Sequence, residues 1–154
     1  MKRRVFLSVT ALALGSGCLN IGGTAEGFDS IADYEFTIYE SSFDRTTDFP
    51  GPTEQPIVSF KPESKQVVVR GALFVGSSTC NKADLMDVSY SETSQTLTVK
   101  VGSTDTSSWF SGSCTGDESA DAYRLVVTMK EQLPTTVRVK QTGTSVKSVT
   151  VRRP

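Results

Sequence analysis

Three cysteines are the residues of this chain best suited to covalent chemistry, and no histidine accompanies them. Without His, neither a Ser–His–Asp nor a Cys–His nucleophile can form, and His-based zinc, copper and non-haem iron sites are excluded. Cys80 and Cys114 are far apart in sequence and form no CxxC pair, so they make a poor zinc ligand set. The residues left for acid–base catalysis or metal binding are carboxylates.

An acidic cluster of Asp117, Glu118 and Asp121 follows Cys114 closely. Calcium takes about six to eight oxygen ligands, and these residues lack the alternating spacing of a calcium loop, so a solvated acidic turn is the favoured interpretation. Asp84 and Asp87 are the nearest approach to an acid pair for glycoside hydrolysis, which needs two carboxyl groups across a cleft. The sequence predicts no metal and no other cofactor.

The segment "STDTSSWFSGSC" is small and polar except for Trp109 and Phe110. One interpretation is a lid, in which both aromatic rings fold back over the edge of the domain and cover a disulfide. The other is a contact loop, because Trp is enriched at binding hot spots. The lid is favoured.

The first 17 residues have the composition of an export signal. A basic start precedes a mostly apolar run from Val5 to Leu14, about ten residues, whereas a membrane-spanning helix needs about 20. Residues 15–17 are small, as the narrow pockets of a signal peptidase require, and Cys18 follows them with a sulfur that a lipid can alkylate.

Two motifs in this leader resemble those of a known class. "RRVFL" is similar to the twin-arginine export motif, with Arg3, Arg4, Phe6 and Leu7 in the expected places. "GSGC" resembles a lipobox, although families usually carry Leu or Val at the position of Gly15. The chain therefore resembles twin-arginine-exported lipoproteins of the kind abundant in halophilic archaea, over residues 1–18.

The resemblance implies a two-chain lipid on Cys18 and attachment to the extracytoplasmic face of the membrane. Cleavage at "ALA" with soluble secretion, and an uncleaved anchor, remain alternatives. With Cys18 lipidated, Cys80 and Cys114 are left as a pair, which in an oxidising compartment predicts a disulfide rather than a metal site.

From Tyr34 onward apolar and polar residues alternate, which predicts half-buried strands. Val67–Val75 is more continuously apolar and predicts a central strand, and Ile57–Phe60 predicts a weaker one. The residues predicted to face the core of the alternating strands are Tyr34, Phe36 and Ile38; Met86, Val88 and Tyr90; Leu97, Val99 and Val101; Leu125, Val127 and Met129; Val137 and Val139; and Val149 and Val151.

About eight strands with short breaks predict an all-β, antiparallel β-sandwich, or less favourably a closed barrel, with tight hairpins at "SETS" and "QTGT". The sandwich is immunoglobulin-like in architecture only, because Trp109 lies just before Cys114 instead of between two core cysteines. We predict a signal peptide over 1–17, a lipidated cysteine with a flexible tether over 18–33, and the sandwich over 34–154.

The charge balance argues against nucleic acid as a partner. Removing three basic residues with the leader leaves 16 − 3 = 13 basic against 17 acidic residues, a net charge of −4. The expected function is that of a membrane-anchored lipoprotein, not an enzyme, which acts as a binding or structural module of the cell envelope. Its partners would be the membrane, through the lipid, and an envelope protein or ligand.

Two alternatives come from other classes: a carboxylate-based hydrolase, and an accessory subunit of an envelope or transport complex. A deep pocket with facing acids would favour the hydrolase, and a flat apolar patch of several hundred Å² would favour a protein partner.

Overall fold

Two β-sheets packed face to face form the domain. The structure is a computed structural model and describes residues 2–5, 29–40, 48–106 and 113–154. Within these ranges it contains no α-helix, and a short 3₁₀ turn at Pro62–Ser64 joins two strands. The strands are β1 Lys2–Val5, β2 Ile31–Glu40, β3 Ile57–Lys61, β4 Gln66–Gly76, β5 Asn81–Ser91, β6 Thr96–Asp105, β7 Ser119–Met129, β8 Thr136–Thr142 and β9 Val146–Arg152.

The first sheet has the strand order β1-β2-β7-β4-β3, and the second has the order β5-β6-β8-β9. The eight strands from Ile31 onward form the sandwich, which confirms the predicted all-β class, and the turns after β5 and β8 are the two predicted hairpins. One pairing differs from the prediction, because β6 and β8 are parallel. Between them β7 runs through the opposite sheet and reverses the chain, so β8 starts at the same end of the sandwich as β6.

Alternation buries the predicted core. Leu97, Val99, Leu125, Val127 and their neighbours on β4 and β8 are fully buried between the sheets. The prediction is wrong for Met86, which is 48% exposed. A β-bulge between Leu85 and Asp87 inserts one residue into β5, so that Leu85 and Val88 both pair with inward-facing partners and Met86 is left outside.

A buried polar pair interrupts this apolar core. Gln141 Nε2 of β8 donates a hydrogen bond of 2.7 Å to Tyr123 Oη of β7, so the pair joins the two sheets. Gln141 Oε1 is buried and has no partner among the described residues. Gly71 of β4 leaves room for the pair, because a Cβ there would lie 2.5 Å from Gln141 Nε2 and 2.6 Å from Tyr123 Oη. Burial raises the pKa of Tyr123 to about 12, against the opposing effect of the hydrogen bond from Gln141.

The described part of the connection between β2 and β3 contacts both sheets. It begins at residue 48, where the Phe49 ring packs on Tyr39 with 4.9 Å between ring centroids. Lys147 of β9 then donates hydrogen bonds to the backbone carbonyls of Pro52 and Glu54. The connection therefore ties an edge strand of the second sheet to the segment that precedes β3.

The N-terminal boundary differs slightly from the prediction. Strand β2 begins at Ile31, three residues before the predicted start of the sandwich at 34. The short strand β1 pairs with β2, which places Arg3 opposite Phe36 and Arg4 opposite Glu35. Among the described residues, no helix has the length and apolar character needed to cross a membrane.

Candidate functional site

A cavity opens at the end of the sandwich where β2 begins and where β5 and β7 end. It has a volume of about 380 Å³. β2 runs antiparallel to β7, and β5 of the other sheet ends at the same end of the sandwich. Residues that are far apart in sequence therefore meet there. We call it the basal cavity and define it by its lining residues, Asp29, Ser30, Tyr90, Glu92, Lys130, Glu131 and Gln132.

Hydrogen bonds hold the walls of the basal cavity together. Ser30 Oγ donates to Glu92 Oε1 at 2.6 Å, which joins the start of β2 to the turn after β5. The backbone N–H of Lys130 donates to the Ser30 carbonyl at 3.0 Å, and Lys65 Nζ donates to the Lys130 carbonyl at 3.3 Å. Both sheets therefore contribute to the cavity, and hydrogen bonds connect the segments that form its rim.

The basal cavity is acidic, with three carboxylates and one lysine among its lining residues. Burial raises the pKa of the Tyr90 hydroxyl, and the negative charge of Glu92 adds to the rise, while Arg153 opposes it. The Tyr90 hydroxyl can donate a hydrogen bond to a ligand in the cavity. Such a set of groups suits a small ligand that carries hydroxyls or a positive charge.

A disulfide occupies the opposite end of the sandwich, as predicted. Cys80, directly before β5, is bonded to Cys114, before β7, with 5.6 Å between their Cα atoms. Hydroxyl groups surround it: Thr115 Oγ1 lies 2.9 Å from Ser77 Oγ and 3.3 Å from Thr79 Oγ1. The bridge ties two loops that lead into different sheets.

The acidic residues that follow Cys114 do not converge. Asp117 accepts hydrogen bonds from Thr115 and Ser78, and these bonds lower its pKa. Glu118 Oε1 accepts one of 2.8 Å from Thr144, whereas Asp121 is buried and accepts one of 2.8 Å from the backbone N–H of Ala83. Each carboxylate thus has a different partner, and the part of the chain described by the structure contains no group of three or more acids or cysteines able to hold a metal ion.

Asp84 and Asp87, the acid pair considered for glycoside hydrolysis, also have separate partners. Asp84 accepts a hydrogen bond of 3.0 Å from the N–H of Leu85, and Asp87 accepts one of 3.4 Å from Ser89 Oγ. Both lie on the outward side of β5, since their neighbours Ala83 and Val88 face the core.

Several predicted residues lie outside the described ranges: the lipidation candidate Cys18, Phe6 and Leu7 of the export motif, and the contact-loop candidates Trp109 and Phe110. Their roles remain predictions. The export-motif residues Arg3 and Arg4 are described only as part of β1.

The residues of the basal cavity were not predicted as a group. The sequence predicts a hairpin at "SETS" and an inward-facing Tyr90, but nothing in it indicates that this hairpin meets the turn after β7 beside Ser30. That meeting follows from the strand order, in which β2 pairs with β7 and the end of β5 lies across from them.

Comparison with known proteins identifies no relative: no family model, no curated protein and no solved structure matches the chain.

Proposed function

We propose that this protein is a lipoprotein of the extracytoplasmic membrane face, whose β-sandwich acts as a binding module of the cell envelope. The observation that carries the proposal is the use of its three cysteines. With Cys80 and Cys114 joined, Cys18 is the cysteine left over, and it directly follows the apolar run and the small residues of the leader. A structural disulfide also fits an oxidising compartment outside the cytoplasm.

The basal cavity supports the binding part of the proposal. It offers hydrogen-bond donors and acceptors from Tyr90, Ser30 and Gln132 beside three carboxylates, on a rim that hydrogen bonds hold in place. Polar groups fixed in a concave site are the usual means of orienting a small ligand.

Replacing Cys18 tests the anchor. We expect Cys18→Ser to prevent lipidation, so that the protein is released from the membrane or accumulates as the uncleaved precursor. Detergent phase partition and the mass of the mature N-terminus measure this. The matched control, Cys80→Ser with Cys114→Ser, removes two other cysteines and should leave the lipid in place. A mature wild-type protein that partitions into water would refute the anchor.

The export route has its own test. Arg3→Lys combined with Arg4→Lys should slow export, because the twin-arginine motif is read through both guanidinium groups. Unchanged export would indicate the general secretory route and leave the lipid prediction to be decided by Cys18→Ser.

A carboxylate-based hydrolase is the second candidate, and the acids of the basal cavity favour it. Glu92 and Glu131 come from different turns and line one cavity, which is the arrangement that an acid–base pair requires. If it is an enzyme, Glu131→Gln and Glu92→Gln should abolish hydrolysis of chromogenic glycosides while Glu63→Gln, on the β3–β4 turn, does not. Absence of hydrolysis by the wild type across such a panel would exclude this candidate for glycosides.

A further inference from the structure

In the second sheet, the outer face of strands β6, β8 and β9 carries a concentrated positive charge. On β6, β8 and β9 the side chains that point away from the core include Lys100, Arg138, Lys140 and Arg152, with Thr98 and Thr150 between them. We call these six residues the cationic face. No acidic residue occurs on these three strands except Asp105, at the far end of β6.

The charged groups of the cationic face are exposed and could bind an anionic ligand. Lys100, Arg138, Lys140 and Arg152 are all exposed, and within the described part of the chain none of their side-chain nitrogens makes a hydrogen bond or ion pair. Lys100 and Lys140 are direct partners in the β6–β8 register. Like charges in directly opposed positions destabilise a sheet. Asp87, which is opposite Lys100 in the β5–β6 register, offsets part of this repulsion, and an anion beside Lys140 would offset more of it.

The four cationic residues are arranged in a line across the sheet. Arg152 of β9 pairs with Thr136 of β8. Arg138 lies two residues further along β8, and Lys140, which pairs with Lys100 of β6, lies two residues beyond Arg138. A strand spacing of about 4.8 Å and a rise of about 3.3 Å per residue place the Cα atoms of Arg152 and Lys100 about 16 Å apart. The stripe crosses three strands diagonally.

The composition of the face argues against a protein partner. Protein interfaces rely on buried apolar and aromatic anchors, and Val146, at the far end of β9, is the one large apolar side chain exposed on these three strands. The rest of the face is hydroxyl and cation. Hydroxyl side chains exchange hydrogen bonds with sugars, and cations attract acidic groups.

The acids at the edge of the sheet argue against a flat membrane surface. Asp84 and Asp87 point outward from β5, and Asp87 pairs in register with Lys100. A planar anionic surface laid on the whole sheet would press against both carboxylates, whereas a linear polymer on the diagonal meets only the Lys100 end near Asp87.

We infer that the cationic face binds a linear acidic polysaccharide, one with carboxylate or sulfate groups, whose chain lies along the diagonal from Arg152 to Lys100. This inference names a ligand class for the proposed binding module. It rests on the proposed function only for the location of the polymer, at the extracytoplasmic face of the membrane. The binding itself needs neither the lipid nor the basal cavity.

Titration with defined polymers tests the inference. The full chain, purified in mild detergent, is titrated with polygalacturonate, dextran sulfate and uncharged dextran. We expect binding to at least one of the charged polymers, weakening as salt is raised because exposed charges are screened, and no binding to dextran. Arg138→Glu with Lys140→Glu should weaken it at least about tenfold, since each exposed cation contributes substantially to binding an anionic surface.

The matched control is Lys61→Glu with Arg124→Glu, which changes the net charge equally on the outer side of the first sheet. Both residues are exposed, and we expect less than about twofold change in affinity. If a glutamate pair lowers the melting temperature, the glutamine pair at the same positions replaces it: Arg138→Gln with Lys140→Gln for the test, and Lys61→Gln with Arg124→Gln for the control.

Three results would overturn the inference. They are equal loss in the control, unchanged affinity in the Arg138 and Lys140 variants, and no binding to either acidic polymer, whether or not the protein binds phosphatidylglycerol vesicles. Because detergent-solubilised protein is used, a failure of lipidation at Cys18 would leave the outcome unaffected and remain distinguishable.

Discussion

At the scale of single residues, the Tyr123–Gln141 pair is the point where the core departs from an apolar interior. Each buried amide has a carbonyl and an N–H₂ group, and here the Tyr123 hydroxyl satisfies only the N–H₂ group. An unsatisfied buried carbonyl costs free energy that an apolar side chain of the same shape avoids. The Tyr123–Gln141 pair therefore lowers the stability of the fold or raises it only slightly. The coupling free energy between the two side chains measures its contribution.

A double-mutant cycle measures that coupling. Tyr123→Phe leaves both ends of the Gln141 amide unsatisfied and should lower the free energy of unfolding by about 1–3 kcal/mol. Gln141→Met should also destabilise, because it strands the Tyr123 hydroxyl. The double variant has no buried polar group to satisfy, so we expect its stability to approach or exceed that of the wild type.

Urea unfolding of the four proteins gives the result. Tyr34→Phe is the control, because Tyr34 packs against the same core without a hydrogen bond among the described residues and should change stability little. A double variant as unstable as the sum of the single variants would show that the two side chains act independently.

The raised pKa of Tyr123 makes stability fall in alkali. Its folded pKa of about 12 lies above the ordinary value of 10.0, so its contribution is intact below about pH 10 and is lost as the pH rises through about 12. The whole loss amounts to about 3 kcal/mol, since one pKa unit corresponds to about 1.4 kcal/mol.

Comparison with Tyr123→Phe isolates this effect from other alkaline titrations. We expect the difference in unfolding free energy between wild type and variant to shrink between about pH 10 and pH 12. Denaturant unfolding at a series of pH values measures it. A difference that stays constant over this range would mean that Tyr123 ionises in the folded protein as it does in water.

At the scale of elements, alternation predicts the strands well because each strand of a sandwich has one buried and one solvated face. It fails where an element departs from a regular ladder. The bulge at Met86 places an apolar residue outside, and only the pairing with β6 reveals it. The parallel β6–β8 pair and the meeting of two turns beside Ser30 depend on strand order, which local composition does not encode.

The Cys80–Cys114 disulfide joins elements of both sheets, and its contribution to stability can be estimated. The two cysteines are 34 residues apart, and closing a loop of this length stabilises by about 4 kcal/mol in the chain-entropy model. We expect Cys80→Ala with Cys114→Ala to lower the unfolding free energy by a few kcal/mol while far-ultraviolet circular dichroism stays that of a β-sheet protein.

The same variant provides the control for chemical reduction. A reducing agent should destabilise the wild type and leave the double alanine variant unchanged. If reduction unfolded the wild type at room temperature, the disulfide and not the alternating core would be the main source of stability.

At the scale of the whole molecule, charge is distributed unevenly. A net charge of −4 for the chain without its leader predicts no attraction to anionic partners, yet β6, β8 and β9 present four cations on one face, none of which forms an ion pair with another described residue. Acids are concentrated instead at the basal cavity and beside the disulfide. Net charge could be read from the sequence, but this segregation could not, because it arises from which strands share a face.

The strand order also sets the time at which the domain can fold. Phe36 of β2 pairs with Leu125 of β7, about 90 residues later, and β4 also takes β7 as its inner neighbour. At about 5–20 residues per second of synthesis, β2 waits on the order of 5–20 seconds for its partner to leave the ribosome. The first sheet is therefore assembled only after β7 has been synthesised, so a nascent chain stalled before Ser119 would expose two long strands to aggregation. A carrier that accepts only folded cargo would have to act after β7 has been synthesised.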